Sequence, residues 1–263
     1  MAKGGLFALV IVAVIAFAIW SYKRNQKRVS ALQQYALANG WAYVARDDRQ
    51  WTRWQQTPFN DGFDRRATNV LTGRHQGHDM VAFDYTYKTR TTDSKGNSST
   101  QTHHYRVCAL AMPTWLPTLE VGPENVLTRL GNVVGVHDIE LESEDFNRRF
   151  RVHANDRKFA YDVLSPRTIE RLMAMPAFHW RIDGQTIVSW DVGTLQIADL
   201  LPRLAALAAV VDGIPDFVWH DNGVPEQSMI TPPPPITPPA TPPVTPPMTQ
   251  AAPQATPPTG GPS

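Results

Sequence analysis

Histidines form the densest group of side chains in this sequence that could bind a metal or move a proton. His75 and His78 flank a Gln-Gly dipeptide, which is typical of a tight hairpin turn, so their imidazoles could converge. A paired strand could bring His103, next to His104, close to them. Structural zinc sites normally show four ligands at close spacing, and no cysteine or carboxylate cluster completes such a set here. We therefore expect solvated strand ends, no metal site and no cofactor.

Motifs of the common catalytic classes are missing from the sequence. It contains no Gly-x-Ser-x-Gly elbow, no Walker phosphate loop, no His-Glu-x-x-His metal motif and no glycine-rich dinucleotide turn. The acidic run Glu140–Asp145 is followed by Arg148, Arg149 and Arg151, a pattern typical of a self-neutralising surface turn. We assign no catalytic residue, and the sequence favours a non-enzymatic protein. The alternative is an unrecognised enzyme with a site near the 75–104 hairpin.

The N-terminal stretch Leu6–Trp20 has fifteen residues without a charge, an amide or a proline. A helix rises about 1.5 Å per residue and the hydrocarbon core is about 30 Å thick. Adding the tolerable flanks gives a segment from Gly4 to Tyr22, about 28 Å long as a helix. Trp20 and Tyr22 then lie where an aromatic belt is expected. The sequence predicts a transmembrane helix that begins near Leu6, within an anchor of residues 1–29.

Four cations follow this stretch, namely Lys23, Arg24, Lys27 and Arg28, whereas only Lys3 precedes it. Cations resist translocation, so we expect a single-pass protein of the cell membrane with its globular domain in the cytoplasm. The competing interpretation is a signal peptide cleaved near Ala18, but such a peptide has its positive charge in front. The same cations are expected to contact anionic headgroups of the lipid bilayer.

Charge and cysteine content narrow the functional classes further. Residues 30–224 hold 20 Lys plus Arg against 23 Asp plus Glu, a net charge of −3. Nucleic-acid binding needs a concentrated basic face, so we expect no nucleic-acid partner. The single cysteine, Cys108, excludes an internal disulfide and lies in an apolar run, which predicts a buried strand residue.

The hydrophobic pattern of residues 30–224 predicts one α+β domain. Its first half reads as a short helix capped by Ser30 and then a series of antiparallel strands. A helical turn or two at Asp47–Gln55 is predicted to bring Trp51 and Trp54 onto one face as core residues. The predicted helix is 31–38; the predicted strands are 41–45, 66–75, 79–90, 103–112 and 118–121, with a flexible loop at 91–102 and a short helix from 123 to 130.

The second half of the domain reads as short strands and helices that end in one long helix. Asp138–Leu141 and Arg149–His153 are predicted strands, and the helices 156–164 and 166–175 follow, the second capped by Ser165. A hairpin over Asp183-Gly184 is predicted next. Leu195–Val211 is the predicted long helix, with Leu201, Leu204, Ala205 and Ala208 on one face. An antiparallel sheet covered by this helix is the expected architecture.

Residues 225–263 differ sharply in composition from the domain. Fifteen of these 39 residues are proline, and Thr-Pro-Pro recurs five times. Proline fixes φ and removes backbone donors, so a disordered, polyproline-like tail is predicted. It could bind a polyproline-binding protein or act as a spacer.

Four stretches carry a resemblance to known sequences: Asn39–Trp41, Arg65–Gly73, Val81–Tyr87 and Asp145–Asp156. They resemble a family of uncharacterised single-span membrane proteins from actinobacteria and, more loosely, a wider bacterial domain family of unknown function. The resemblance covers roughly residues 30–223 and implies membrane anchoring and the extent of the domain, but no catalytic residue. Together with the residues above, it predicts a membrane-tethered, non-enzymatic interaction module. The alternative is a lipid-contacting domain at the membrane surface.

Overall fold

The computed structural model describes residues 2–123 and 137–223, which form an antiparallel sheet with helices on it. The strands are β1 (Ala42–Arg46), β2 (Phe63–His75), β3 (His78–Thr92), β4 (Ser98–Pro123), β5 (His137–Asp138), β6 (Phe150–Ala154) and β7 (Trp180–Val192). The helices are α1 (Ala2–Ala38), α2 (Glu144–Arg149), α3 (Arg157–Val163), α4 (Pro166–Met173), α5 (Ile197–Val211) and α6 (Asp216–Asp221). The α+β class is confirmed. Most of the predicted helix at 123–130 and the predicted tail at 225–263 lie outside the described residues.

Strand order explains how one sheet holds the domain together. The described strands run β1-β2-β3-β4-β6-β5, and β7 also pairs with β4. All these pairings are antiparallel. β4 is therefore the central strand, with partners along most of its length, and residues from both halves of the chain meet on it.

Aromatic side chains fill the space over one face of the sheet. Phe83, Tyr85 and Tyr87 of β3 project from this face, because alternate side chains of a strand lie on the same side. Trp54 and Phe59, from the segment between β1 and β2, pack on them. The ring centroids of Trp54 and Phe59 lie 4.8 Å from each other. Trp54 is buried as predicted, whereas the Trp51 side chain is only partly buried. The opposite face is covered by α5 and the C-terminal half of α1.

α1 is one continuous helix of 37 residues, not an anchor followed by a separate helix capped by Ser30. Within the described residues, no helix is long and apolar enough to cross a membrane. The predicted transmembrane span is therefore not supported.

Two predicted breaks in the strands are wrong for the same physical reason. β4 continues through Pro113 and Pro117, with register shifts against β7 between Ala111 and Leu119. β7 continues through Gly184, which has a φ of 61° and pairs with Leu116 instead of closing a hairpin. The proline and glycine positions that look like turns in the sequence form bulges within continuous strands, because β4 and β7 pair with each other.

The remaining differences concern lengths and faces. The polar loop predicted at 91–102 is mostly strand, because β3 and β4 pair as far as Thr92 and Ser98. The predicted acidic turn forms α2, and the strand predicted at Arg149–His153 follows it as β6. In α5 the buried leucines are Leu200, Leu204 and Leu207, so the buried face is rotated from the predicted one. α3 and α4 form as predicted, and the Ser165 side chain accepts a hydrogen bond from the Thr168 amide.

Candidate functional site: a cleft between α1 and α5

The two ends of α1 have opposite environments. Near its C-terminus, Leu32 and Ala36 are buried against the domain, and the Tyr35 ring packs edge-on to Trp41 at 5.4 Å. Towards its N-terminus, every large apolar side chain described is exposed: Ile11, Val12, Val14, Ile15, Phe17, Ile19, Trp20 and Tyr22. We call these eight residues the apolar row. A contiguous exposed set of this size marks a surface that contacts something apolar.

Asp84 joins the docked half of α1 to the sheet. This buried carboxylate on β3 accepts hydrogen bonds from Arg28 Nη1 at 2.8 Å and from Asn69 Nδ2 at 2.7 Å. Its other oxygen accepts from the backbone amide of Leu195 at 2.5 Å, just before α5. Arg28 also donates to the Leu195 carbonyl at 3.0 Å. A single carboxylate thus fixes α1, β2 and the segment before α5 relative to one another.

A cleft of about 550 Å³ lies between α1 and the start of α5. We call it the α1–α5 cleft. Its apolar lining includes Phe17, Trp20, Leu32 and Ile197, and its polar lining includes Ser21, Arg24, Asn25 and Arg28. The volume is within the range of about 300–1,000 Å³ typical of small-molecule sites. The cleft begins where the apolar row ends, since Phe17 and Trp20 belong to both.

The cations predicted to lie beside the anchor have different roles. Arg28 points into the domain and pairs with Asp84, and Arg24 lies over the Trp20 ring, 5.5 Å from its centroid. Lys23 and Lys27 are exposed and do not line the α1–α5 cleft. Tyr22 is also exposed, and its hydroxyl accepts a hydrogen bond from Gln26. The Leu6 side chain lies outside the described part of the chain.

The histidines do not gather. His75 and His78 face each other across the β2–β3 turn, and His78 contacts Asp212. His103 pairs with Tyr87, nine residues along β3 from His78, about 30 Å away at the rise of a strand. No group of three His, Cys, Asp or Glu able to hold a metal ion occurs in residues 2–123 and 137–223. His103 therefore does not come close to His75 and His78, because its pairing with Tyr87 places it towards the other end of β3.

A buried charged cluster that the sequence analysis missed lies where β4 and β7 pair. His179 Nε2 lies 2.6 Å from Glu120 Oε1, and Arg181 lies 3.6 Å from the other Glu120 oxygen. Burial opposes ionisation of Glu120, but the hydrogen bond with His179 and the nearby positive charges give it a pKa below its ordinary value. Ser189 donates to the backbone carbonyl of His179 and not to its ring. The cluster is therefore arranged as a structural ion pair, not as a nucleophile with its base.

A second cavity of about 660 Å³ lies among α2, α3 and α4. Leu164, Ile169 and Met173 supply apolar lining, and Glu142 and Glu170 supply carboxylates.

Cys108 on β4 is buried, as predicted, and burial raises the pKa of its thiol to about 12. At neutral pH this thiol stays protonated, which excludes it as a nucleophile in the native fold.

Comparison with known proteins identifies part of the chain. Residues 124–198 match the model of a family described as "Protein of unknown function (DUF3137)". A domain of unknown function is thus found in the chain, which confirms the resemblance seen in the sequence. The match includes all of α2, α3, α4 and β7.

One solved structure shares the fold. It is the mycobacterial trehalose monomycolate transport factor A, TtfA, with a TM-score of 0.55 and 13% sequence identity over 70% of this chain and 93% of that one. Its mycobacterial source agrees with an uncharacterised actinobacterial family. No curated protein sequence matches this chain.

Proposed function

We propose that this chain is a membrane-attached, non-enzymatic module that acts in lipid handling. In this proposal the apolar row of α1 enters the bilayer, and the sheet domain is held at the membrane surface by the docked half of the same helix. The observation that carries the proposal is that one continuous helix is buried at Leu32 and Ala36 but exposes the apolar row from Ile11 to Tyr22.

The energetic argument for lipid contact rests on exposed area. Transfer of one large apolar side chain from water to an apolar environment is worth about 1.5–3 kcal/mol. Eight such side chains together far exceed the cost of immobilising a helix at an interface. Exposure of the whole row to water is therefore unfavourable, and a bilayer is the partner that accepts it without specific pairing.

The charge distribution supports a position for the domain. Lys23, Arg24 and Lys27 follow the apolar row immediately, at the level where headgroups begin if the row is embedded. The excess of cations on the domain side favours a cytoplasmic domain, because the cytoplasmic leaflet is rich in anionic lipids. The chain thereby combines the two predicted roles, a tethered module and a surface that touches lipid.

The structural neighbour supports a role with lipid over other non-enzymatic roles. TtfA is described as a transport factor for trehalose monomycolate, which is a glycolipid. At 13% identity the likeness concerns the fold, so the lipid handled by this chain is left open in the proposal. The separation of the histidines along the β2–β3 hairpin favours a non-catalytic role over the enzyme alternative.

Vesicle flotation of the full-length chain tests the proposal. We expect the wild type to float with phosphatidylcholine vesicles and Ile15→Asp to lose most of this binding, because it places a charge within the apolar row. Leu37→Asp makes the same change on the same helix, at an exposed position on the domain side, and should float like the wild type. Equal flotation of the two variants, or no flotation of the wild type, would refute the proposal.

A further inference from the structure

We propose that the α1–α5 cleft binds one anionic lipid from the adjoining leaflet, with the headgroup on Arg24 and the acyl chain along Phe17 and Trp20. This inference rests on the proposed membrane attachment and names the ligand class of the cleft. It rests on the cleft, the free charge of Arg24 and the continuity of the cleft with the apolar row.

Arg24 supplies a positive charge that no described carboxylate neutralises. Arg28, which also lines the cleft, is already paired with Asp84. Asp199, the acidic residue of α5, pairs with Arg106. Neither Asp84 nor Asp199 is part of the cleft lining. The Arg24 side chain is exposed, forms no ion pair within the described residues, and rests on the Trp20 ring. An arginine held over an aromatic ring keeps its N–H groups available for an anion.

The start of α5 adds to the positive potential in the cleft. Ile197 and Ala198 line the cleft, and the N-cap residue Gln196 makes no side-chain capping bond. The first backbone amides of this 15-residue helix therefore receive no capping bond from the Gln196 side chain. This arrangement supplements Arg24 and would not define a site without it.

The apolar walls decide between a lipid and a free anion. Phe17, Trp20, Leu32 and Ile197 provide a surface that a small hydrated anion cannot use. Phe17 and Trp20 also continue the apolar row, so an acyl chain can leave the bilayer without crossing water. A ligand with one charged end and one apolar end satisfies both parts of the cleft.

Native mass spectrometry of the full-length chain in neutral maltoside micelles tests this inference, because such micelles lack the surface charge of a membrane. We expect one phosphatidylglycerol to remain bound to the wild type and no phosphatidylcholine. Arg24→Gln should lower the occupancy about tenfold or more, because it removes a charge-assisted hydrogen bond to the headgroup. Lys23→Gln removes the same charge one residue earlier, outside the cleft, and should keep the wild-type occupancy.

Three results would overturn the inference: equal occupancy in the two variants, equal binding of phosphatidylcholine, or complete displacement by inorganic phosphate, which would indicate a simple anion site. Thermal unfolding of Arg24→Gln checks that this exposed substitution leaves the fold intact.

Flotation with phosphatidylcholine vesicles separates the two proposals. A wild type that floats but carries no phosphatidylglycerol contradicts only the cleft, whereas a wild type that does not float contradicts membrane attachment itself.

Discussion

At the scale of single residues, Asp84 has the largest structural role that can be traced to one side chain. It accepts hydrogen bonds from Arg28, Asn69 and the Leu195 amide, and it is almost fully buried. Asn69 has a φ of 51° at an irregularity of β2, a conformation that asparagine tolerates better than most residues. The backbone of β2 is thus shaped so that the Asn69 amide reaches Asp84.

Replacing Asp84 by alanine should lower the free energy of unfolding by about 3–5 kcal/mol, because a buried cation and two other donors lose their acceptor. Asp145→Ala provides the matched control, since Asp145 pairs with Arg148 on the surface and both side chains are more than 70% exposed. Asp145→Ala should lower the free energy of unfolding by less than about 1 kcal/mol. Urea unfolding of the full-length proteins measures both. A similar loss in the two variants would show that Asp84 does not hold α1 and the sheet together.

The sequence shows the basic residues that follow Tyr22 but not the directions in which their side chains point. Lys23, Arg24, Lys27 and Arg28 form one basic cluster when they are read along the chain. In the structure Arg28 belongs to the interior through Asp84, 56 residues away, and Arg24 belongs to the cleft. Such long-range pairs leave no local pattern. The nearest signal was Asp84 itself, the one charged residue in the largely apolar run Val81–Tyr87.

Among the elements, α1 determines where the apolar row lies relative to the sheet, because it is one continuous helix. The helix continues past Ser30 without a break, and its burial changes from exposed to buried along its length. A rigid helix that is docked at one end fixes the orientation of its other end. The position of the apolar row relative to the domain therefore depends on the packing around Leu32.

Leu32→Ala should cost about 2–5 kcal/mol of stability, because Leu32 is 1% exposed and its loss leaves a cavity between α1 and the domain. Leu37→Ala is the same substitution five residues later, at a side chain that is 83% exposed, and should change stability by less than about 0.5 kcal/mol. Urea unfolding distinguishes the two variants. If both are neutral, α1 is not docked on the domain as described.

The elements that the sequence predicted correctly are those with local causes. The Gln76-Gly77 turn has positive φ at both residues, as a tight hairpin requires, and Ser165 caps α4 with its own side chain. The errors concern elements whose form depends on distant partners. β4 and β7 stay continuous because each pairs with the other across Pro117 and Gly184, and no local rule contains that information. The buried face of α5 was displaced by one residue for the same reason.

At the scale of the whole molecule, the structure places its apolar and polar surfaces at different ends of α1. The sheet domain carries a net negative charge and buries its aromatic core, whereas the apolar row is exposed beyond it. The α1–α5 cleft lies at the border between the two. A protein with this distribution of surfaces is suited to hold a lipid where the bilayer meets a folded domain.

Site-specific fluorescence tests membrane attachment most directly. Because the Cys108 side chain is buried and burial raises the pKa of its thiol, a new surface cysteine can be labelled selectively in the native protein. We would attach an environment-sensitive fluorophore to full-length Ile15→Cys or to Leu37→Cys and add phosphatidylcholine vesicles. If the apolar row enters the bilayer, we expect a blue shift of the fluorophore emission and protection from an aqueous quencher at position 15, with no change at position 37. The same spectrum and the same quenching at both positions would contradict it.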